Sequence, residues 1–331
     1  MAVPRPVVKW AGGKTRLLDR LLARLPKGHI HTYAEPFLGG GAMFFALAAE
    51  NRFDHAILAD KNAELVALYQ AIKEDVRPLI ERVRSYSDDH LGKDDEARRE
   101  HFYTVRGMST EGLTRVERGA RLLFLNKTCF NGLWRVNAAG RFNVPFGKYA
   151  TPRIFDEDVL LAAHDALSKA TIHLADFADV TKELEKGDFA YFDPPYVPVS
   201  KTANFTAYAS DRFGDLEQKR LAKELMRLKK KRVDAMLSNA ATVETRELYE
   251  AYGFHLTSIQ AARVINSDPS KRGAVEELVV TTYKPREPAA SPPAKPSAAY
   301  KGGRPAGPAA RAKAAKAAKA AKAAKAAKAA V

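Results

Sequence analysis

An apolar run that ends in an acid and two prolines limits the fold of this chain more than any other feature. Phe189-Ala190-Tyr191-Phe192 has the composition of a buried strand, and Asp193-Pro194-Pro195-Tyr196 follows it directly. Because proline has no amide N–H, the strand must end there, at the edge of a sheet. The carboxylate and the carbonyls can accept hydrogen bonds, and the tyrosine offers a flat face to a ring. The pattern favours an enzyme site for the amino group of a nucleobase.

Strand-like and helix-like patterns alternate on both sides of this motif. Strands are predicted near 32–34, 55–59, 171–174, 189–192, 233–237 and 277–283. Helices are predicted at 17–25, 42–50, 65–72 and 215–231. Asp215 and Gln218 predict a capping box at the start of the last helix. Alternating strands and helices are typical of a doubly wound α/β sheet.

A charged and mostly helical stretch interrupts this alternation. It runs from residue 73 to 164 and contains a hairpin-like segment at 131–148. The simplest account is a sheet domain formed by 1–72 and 165–283, an inserted domain at 73–164, and a tail at 284–331. A chain of 331 residues is long enough to bury a large core and to divide in this way.

The tail carries most of the excess positive charge. From Lys284 onward there are 12 Lys and Arg and a single acid, Glu287, in a chain whose formal net charge is +15. Ala-Ala-Lys repeats run from Lys313 to Lys328, and a three-residue step spreads their lysines around every face of a helix. We expect a disordered, solvated tail that adds nonspecific attraction to DNA by releasing counterions.

The cysteine content and the hydropathy pattern indicate the cellular compartment in which the protein works. Cys129 is the only cysteine, so no intrachain disulfide can form, and packing is its expected role. No segment approaches the roughly 18 apolar residues that a membrane span needs. The first ten residues contain prolines and a lysine where a signal peptide would be apolar. The sequence predicts a cytoplasmic protein without a membrane partner.

Two further motifs suggest a bound nucleoside. The loop from Pro36 to Gly41 lies between a strand and a helix, where glycines let a ligand approach the backbone. Asp60 follows the next strand and is suited to accept hydrogen bonds from ribose hydroxyls. Gly39-Gly40-Gly41 lacks the dinucleotide spacing, which disfavours a dehydrogenase.

The N-terminal segment Lys9-Trp10-Ala11-Gly12-Gly13-Lys14 could pass for a phosphate loop. It lacks the earlier glycine of that motif, and no strand of usual composition precedes it. Trp10 is either a core residue or a stacking partner for an adenine or for a ligand with a sulfonium group.

The hairpin segment combines basic and aromatic residues. A turn at 137–140 would form a β-ribbon that fits the DNA major groove, although a solvated basic hairpin is the plainer interpretation. The residues that alternate here are Lys127, Phe130, Trp134, Arg135, Arg141, Phe142, Phe146, Lys148 and Tyr149.

Taken in order, these motifs resemble the bacterial Dam-type DNA adenine N6-methyltransferases. The resemblance covers roughly residues 5–285. It is carried by Lys-Trp-Ala-Gly-Gly-Lys at 9–14, Glu-Pro-Phe-x-Gly-x-Gly at 35–41, Leu-Ala-Asp-x-Asn at 58–62, the hairpin at 131–149, Asp-Pro-Pro-Tyr at 193–196, Ala-Asn-Phe-Thr-Ala-Tyr at 203–208 and Glu-Leu at 277–278.

The resemblance implies a Rossmann-like sheet that uses S-adenosylmethionine and no metal, with an inserted, mostly helical DNA-recognition domain that carries the hairpin. It implies that a flipped adenine binds at Asp193, Pro194, Pro195 and Tyr196. The residues that it assigns to the methyl donor are Trp10, Lys14, Glu35, Pro36, Phe37, Gly39, Gly41, Asp60 and Asp193.

The resemblance also implies DNA contacts and the site GATC. Arg135 resembles the family's guanine-reading arginine, Leu133 its thymine contact, and Lys9 a further base contact. The other residues assigned to DNA are Arg106, Phe130, Asn131, Asn137, Pro145 and Tyr149. The chain departs from the family at Phe130, where tyrosine is frequent, and at 239–242, which lacks an Asn-His-Asp sequence.

The expected protein is therefore an adenine-specific DNA methyltransferase that acts as a monomer on double-stranded DNA, in the nucleoid of a bacterium or in a phage context. Two alternatives stay open. One is an adenine methyltransferase of a restriction-modification system with a different site, and the other is a nonenzymatic DNA-compacting protein, which the tail suggests. The chemistry of the motifs does not exclude RNA as substrate.

Overall fold

The computed structural model describes residues 2–196, 213–262 and 274–286, and within them a seven-stranded mixed sheet forms the centre. Its strand order is β3-β2-β1-β4-β5-β7-β6. Strands β1 to β5 run parallel, and β7 is antiparallel to both of its neighbours. The strands are β1 (Ile30–Glu35), β2 (Phe53–Asp60), β3 (Ala170–Leu174), β4 (Phe189–Phe192), β5 (Asp234–Ala240), β6 (His255–Ala262) and β7 (Ala274–Thr281). The doubly wound, Rossmann-like α/β prediction is confirmed.

Ten α-helices accompany the sheet in these described ranges, and four of them stand in the chain between α3 and β3. They are α1 (Leu18–Leu22), α2 (Ala42–Ala49), α3 (Ala63–Glu74), α4 (Val76–Leu91), α5 (Asp95–Gly107), α6 (Arg115–Thr128), α7 (Glu157–Leu167), α8 (Phe177–Val180), α9 (Asp215–Lys231) and α10 (Val243–Ala251). Helix α9 has the predicted bounds, whereas α1 is shorter than predicted and β6 was not predicted at all.

The centre of the sheet is buried on both faces, and the apolar strand β4 shows how. In β4, Phe189 and Tyr191 enter one hydrophobic cluster, while Ala190 and Phe192 enter the cluster on the opposite face. This alternation is the period of two that a strand imposes on its side chains. All four residues of β4 are buried, so the acid that follows them is held on a rigid support.

One predicted helix cap is wrong. Helix α9 is capped by Gly214, and its first turn has no side-chain cap of the kind expected from Asp215 and Gln218. Gln218 is buried, and its Oε1 instead accepts hydrogen bonds from Asn239 Nδ2 and from the Tyr249 hydroxyl, both at 2.9 Å. The capping box fails because satisfying these buried polar groups outweighs an exposed cap.

The predicted hairpin is short but present. Val136 and Phe142 form an antiparallel bridge, and Cys129 forms a second one with Phe146. The turn closes where Gly140 N donates to the carbonyl oxygen of Asn137 at 2.9 Å, with Gly140 at a φ of 71°. The hairpin starts directly after α6, so a long helix packed against α3 and α4 supports it.

The sequence matches at 203–208 and the basic tail from residue 287 lie outside the described residues. Among the helices of the described residues, none combines the length and the apolar composition needed to cross a membrane.

Candidate active site and DNA-reading hairpin

Three acidic residues meet at the carboxyl edge of the parallel strands. Glu35 ends β1, Asp60 ends β2, and Asp193 follows β4. Because β2, β1 and β4 are neighbours and parallel, their carboxyl ends lie side by side. The strand order reverses between β1 and β4, which is the point where open α/β sheets form a ligand crevice. The structure therefore brings together acids that lie far apart in the sequence.

The loop after β1 is fixed by the acid after β2. Asp60 Oδ2 accepts a hydrogen bond from Gly39 N at 3.0 Å, and its Oδ1 accepts one from Asn62 N at 2.9 Å. The Tyr69 hydroxyl donates to the Gly39 carbonyl oxygen at 3.0 Å. Burial raises the pKa of Asp60, and these backbone amides oppose the rise. Since a carboxylate has about four acceptor positions, Asp60 keeps acceptor capacity for hydroxyl groups.

Trp10 packs on the glycines of this loop. A Cβ atom on Gly39 would lie 3.0 Å from Trp10 Cδ1, so the close approach depends on glycine. The φ of Gly39 is +48°, a conformation that also favours glycine. The indole of Trp10 stacks on Trp134 with ring centroids 5.9 Å apart. Trp10 thus links the loop to the hairpin, a connection that the sequence analysis did not predict.

Glu35 is part of the protein's own framework. Its Oε2 accepts hydrogen bonds from the Tyr33 hydroxyl at 2.7 Å and from Phe44 N at 3.0 Å, which ties β1 to the first turn of α2. Burial raises the pKa of Glu35 to about 8 against the opposing effect of the Tyr33 hydrogen bond, and the nearby Asp193 carboxylate adds to the rise. The Glu35 carboxyl is therefore mostly protonated at neutral pH, and it orients the loop through α2.

A buried lysine lies against the acid of the Asp-Pro-Pro-Tyr motif. Lys14 Nζ is 2.6 Å from Asp193 Oδ1, 3.6 Å from Glu277 Oε1 and 4.7 Å from the centroid of the Tyr196 ring. It also donates to the Gly12 carbonyl oxygen at 2.8 Å. The side chains of Lys14 and Glu277 are only 4% and 8% exposed. Lys14 and Asp193 therefore form an ion pair at the end of β4, and Glu277 is a second acid close to the same ammonium.

Burial raises the pKa of Asp193 to about 6, the Lys14 ammonium lowers it, and the Glu277 carboxylate raises it. Within the motif, Pro194 is buried, whereas Pro195 and Tyr196 are exposed. Burial and the Asp193 and Glu277 charges raise the pKa of the Tyr196 hydroxyl, so the phenol stays neutral. The motif offers a carboxylate next to an accessible aromatic ring.

The exposed face of the hairpin carries the side chains that the sequence analysis assigned to DNA. Leu133, Arg135 and Tyr149 are all exposed. Arg135 Nε donates to Asn143 Oδ1 at 2.7 Å, which orients the guanidinium across the hairpin. Phe130 is half exposed, and its amide donates to the Pro145 carbonyl oxygen at 2.8 Å.

Two assigned asparagines shape the hairpin backbone. Asn137 Oδ1 accepts hydrogen bonds from Ala139 N at 3.1 Å and from Arg141 N at 3.0 Å. Asn131 has a φ of 57°, the left-handed conformation that asparagine tolerates better than most residues. Arg106 comes from α5 and donates to the Val144 carbonyl oxygen at 3.3 Å. These residues cluster at the hairpin although they come from two segments of the chain.

Lys9 reaches the hairpin through a residue that the sequence analysis missed. Asn126 is buried in α6, and its Oδ1 accepts a hydrogen bond from Lys9 N at 2.9 Å. Its Nδ2 donates to the carbonyl oxygens of Lys9 at 2.8 Å and of Gly132 at 3.1 Å. One amide therefore joins the N-terminal segment to the first residues of the hairpin. An asparagine inside an amphipathic helix gives no sequence signal for this role.

The segment at 239–242 has no free polar group of the kind an Asn-His-Asp sequence would supply. Asn239 is fully buried and pairs with Gln218, and Thr242 caps α10. Over the described ranges, no group of three or more His, Cys, Asp or Glu residues is arranged to hold a metal ion.

Comparison with known proteins identifies the family. The sequence pattern of the D12 class N6 adenine-specific DNA methyltransferases matches residues 10–265. The type II methyltransferase M.MjaIII of Methanocaldococcus jannaschii is 42% identical over 84% of this chain and 99% of that protein. The DNA adenine methylase of Haemophilus influenzae is 35% identical over 83% of this chain and 92% of its own length. That of Escherichia coli is 34% identical over 85% and 96%. The chain belongs to the D12 class of N6 adenine-specific DNA methyltransferases.

Proposed function

We propose that the protein transfers a methyl group from S-adenosylmethionine to N6 of an adenine that is flipped out of double-stranded DNA, within the sequence GATC. The observation that carries this proposal is the position of Asp193-Pro194-Pro195-Tyr196 at the switch point of the sheet, next to Asp60 and the loop that Asp60 fixes. Family membership supports the adenine and its N6 atom.

The residues at this edge fit the methyl donor by their chemistry. Asp60 keeps acceptor capacity for ribose hydroxyls, the indole of Trp10 covers the glycine loop, and Lys14 and Asp193 border the crevice. The loop between β1 and α2 contains Pro36, Phe37, Gly39 and Gly41. Glu35 stabilises this loop by accepting a hydrogen bond from the first turn of α2. When bound, S-adenosylmethionine supplies an electron-poor methyl carbon on a positively charged sulfur.

The residues of the motif would prepare the amine for attack. The N6 lone pair of adenine is delocalised into the ring, and accepting its hydrogens at Asp193 and at the Pro194 carbonyl oxygen favours the pyramidal geometry. With the donor bound, the lone pair would form the new N–C bond as the C–S bond breaks and leaves its electron pair on sulfur. The nitrogen must then lose one proton. Asp193, whose pKa is raised to about 6, is a better base than an ordinary aspartate and takes it. The ring of Tyr196 replaces part of the stacking that the base loses.

The hairpin would read the DNA from the major groove. The exposed guanidinium of Arg135 suits the two acceptors of guanine, and Leu133 suits the methyl group of thymine. We propose that residues 73–164 act as the recognition domain and that the basic tail adds nonspecific affinity for DNA. The remaining contacts proposed for DNA are Lys9, Arg106, Phe130, Asn131, Asn137, Pro145 and Tyr149.

One further candidate keeps the chemistry and changes the site. M.MjaIII is named as a type II methyltransferase, whereas two other relatives are named as DNA adenine methylases. A restriction-modification enzyme with another recognition sequence is therefore the second possibility, and it would use the same catalytic residues.

The test measures the transfer of a labelled methyl group to DNA and the sequence position of the methylated base. Purified protein is incubated with unmethylated plasmid and S-adenosylmethionine tritiated in the methyl group, and the product DNA is sequenced for modified bases. We expect N6-methyladenine in GATC, and no label with Asp193→Ala, which should still bind DNA. Label in another sequence would favour the second candidate. DNA binding without any transfer by the unmutated protein would contradict both.

A further inference from the structure

Lys14 contacts the same carboxylate and the same aromatic ring that a flipped adenine would contact. Its ammonium donates to Asp193 Oδ1 over 2.6 Å and lies over the Tyr196 ring at 4.7 Å from the centroid. An exocyclic amine entering the motif must donate to the same carboxylate and bring its ring onto the same tyrosine. Lys14 therefore competes with the base for this carboxylate and for this ring.

One oxygen of a second acid next to Lys14 lacks a hydrogen-bond partner among the described residues. Glu277 Oε1 is buried, accepts no hydrogen bond from the part of the chain that the structure describes, and lies 3.6 Å from Lys14 Nζ, while the Tyr196 hydroxyl is hydrogen-bonded to the Glu277 carboxylate. A buried carboxylate oxygen without a donor is costly, and in native proteins such an atom calls for an explanation. A movement of about 1 Å by the ammonium would convert this contact into a normal hydrogen bond. The Gly12 carbonyl oxygen, 2.8 Å from Nζ, can serve as the pivot.

We propose that Lys14 is a placeholder for the target amine, and that the entry of adenine transfers its ammonium from Asp193 to Glu277. This inference rests on the methyltransferase function proposed above. In the resting protein, Lys14 compensates the charge of the half-buried Asp193 carboxylate. With the base bound, the Asp193 carboxylate faces the adenine amine and Glu277 holds the lysine. Glu277 is thus a positioning residue that acts through Lys14 and touches neither substrate.

The charges around Asp193 are consistent with such an exchange. Two carboxylates, from Asp193 and from Glu277 on β7, share the single Lys14 ammonium, so one of them is always left without it. Glu35 on β1 also faces Asp193, and it is mostly neutral at pH 7 because its pKa is raised to about 8. Among the described residues, the phenols of Tyr33, Tyr191 and Tyr196 also face this cluster, and the pKa of each is raised above its ordinary value.

The test uses Glu277→Gln, with Glu276→Gln as the matched control. Glu276 is the preceding residue of β7 and pairs with Arg246 at 2.7 Å, so its loss removes the same charge from the same strand. The first measurement is the single-turnover rate of methyl transfer as a function of pH. In Glu277→Gln we expect the plateau to fall by roughly tenfold to a hundredfold, because Lys14 stays on Asp193. We also expect the acidic limb to move to lower pH, because the Glu277 charge no longer raises the pKa of Asp193.

The second measurement needs no turnover. Binding is compared, with S-adenosylhomocysteine present, between a duplex that contains the target adenine and the same duplex with an abasic site at that position. Glu277→Gln should weaken binding of the adenine duplex by about tenfold and leave the abasic duplex unchanged, because only the adenine displaces Lys14. Glu277→Asp keeps the charge and should restore the acidic limb.

Three outcomes would overturn the inference. They are an unchanged plateau, an unshifted acidic limb, and an equal loss of affinity for both duplexes, the last of which would indicate a structural role. Failure of the proposed function is distinguishable, because the unmutated protein would then transfer no methyl group. Should Glu277→Gln not fold, as judged by loss of S-adenosylhomocysteine binding, the pH profile of Glu277→Asp decides, since a limb unlike that of the unmutated protein would contradict the inference.

Discussion

The side chain of Asn126 joins the N-terminal segment to the hairpin, and replacing Asn126 tests this connection directly. Its side chain makes three hydrogen bonds: with Lys9 N at 2.9 Å, with the Lys9 carbonyl oxygen at 2.8 Å and with the Gly132 carbonyl oxygen at 3.1 Å. Asn126→Ala removes all three and leaves a buried space. The backbone groups of Lys9 and Gly132 then lose their partners together.

The magnitude follows from these contacts. A net contribution of about 1 kcal/mol for each hydrogen bond gives a loss of about 3 kcal/mol in the free energy of unfolding. For a chain of this size such a loss lowers Tm by roughly 4–5 °C. Asn126→Asp keeps the acceptor for Lys9 N but places a buried carboxylate oxygen against the carbonyl oxygens of Lys9 and Gly132, so it should destabilise the protein at least as much as Asn126→Ala.

The assay combines calorimetry with competition between DNA sequences. Asn126→Ala should reduce discrimination against duplexes altered at one base pair of the site, because Lys9 and Leu133 are no longer held in register by a shared amide. Affinity for S-adenosylhomocysteine should change little, since Asn126 is not among the residues assigned to the donor. A variant with normal Tm and full discrimination would refute the coupling. If Asn126→Ala weakened S-adenosylhomocysteine binding and left DNA discrimination intact, Asn126 would support the donor site and not the hairpin.

Two further predictions concern the loop after β1. Glu35 has a pKa raised from 4.5 to about 8, so the folded state binds a proton more tightly than the unfolded state, and stability falls as pH rises through that window. Glu35→Gln should flatten this dependence, and thermal midpoints of both proteins measured from pH 5 to 9 should converge at low pH and separate at high pH; parallel curves would contradict the raised pKa. Gly39→Ala places a Cβ 3.0 Å from Trp10 at a φ of +48°, and it should weaken S-adenosylhomocysteine binding by about tenfold in isothermal calorimetry while DNA affinity is retained. Unchanged affinity would show that the loop can shift without cost.

Sequence patterns predicted the parts of the fold that local composition determines. The buried strand β4 and the helix α9 were recognised because apolar runs and helical spacing are local features. The position of Asp60 and Asp193 at the sheet edge was predicted, because an acid at the end of a buried strand lies at the carboxyl edge of a parallel sheet. Strand β6 was missed because its sequence, His-Leu-Thr-Ser-Ile-Gln-Ala-Ala, is partly polar at the outer edge of the sheet. The capping box at Gln218 was wrong because tertiary partners competed for the side chain.

Glu277 shows why the rest of the site could not be predicted. It lies in the middle of β7, where an acid in a parallel strand would be far from the carboxyl edge. Strand β7 runs antiparallel, and Glu277 pairs with Ala240, the last residue of β5. The antiparallel register with β5 therefore brings a mid-strand acid to the edge where Asp193 and Lys14 meet. Strand direction depends on how distant segments connect, and no local pattern encodes it. The proposed movement of Lys14 requires an acid at this position of β7, and the register between β7 and β5 supplies it.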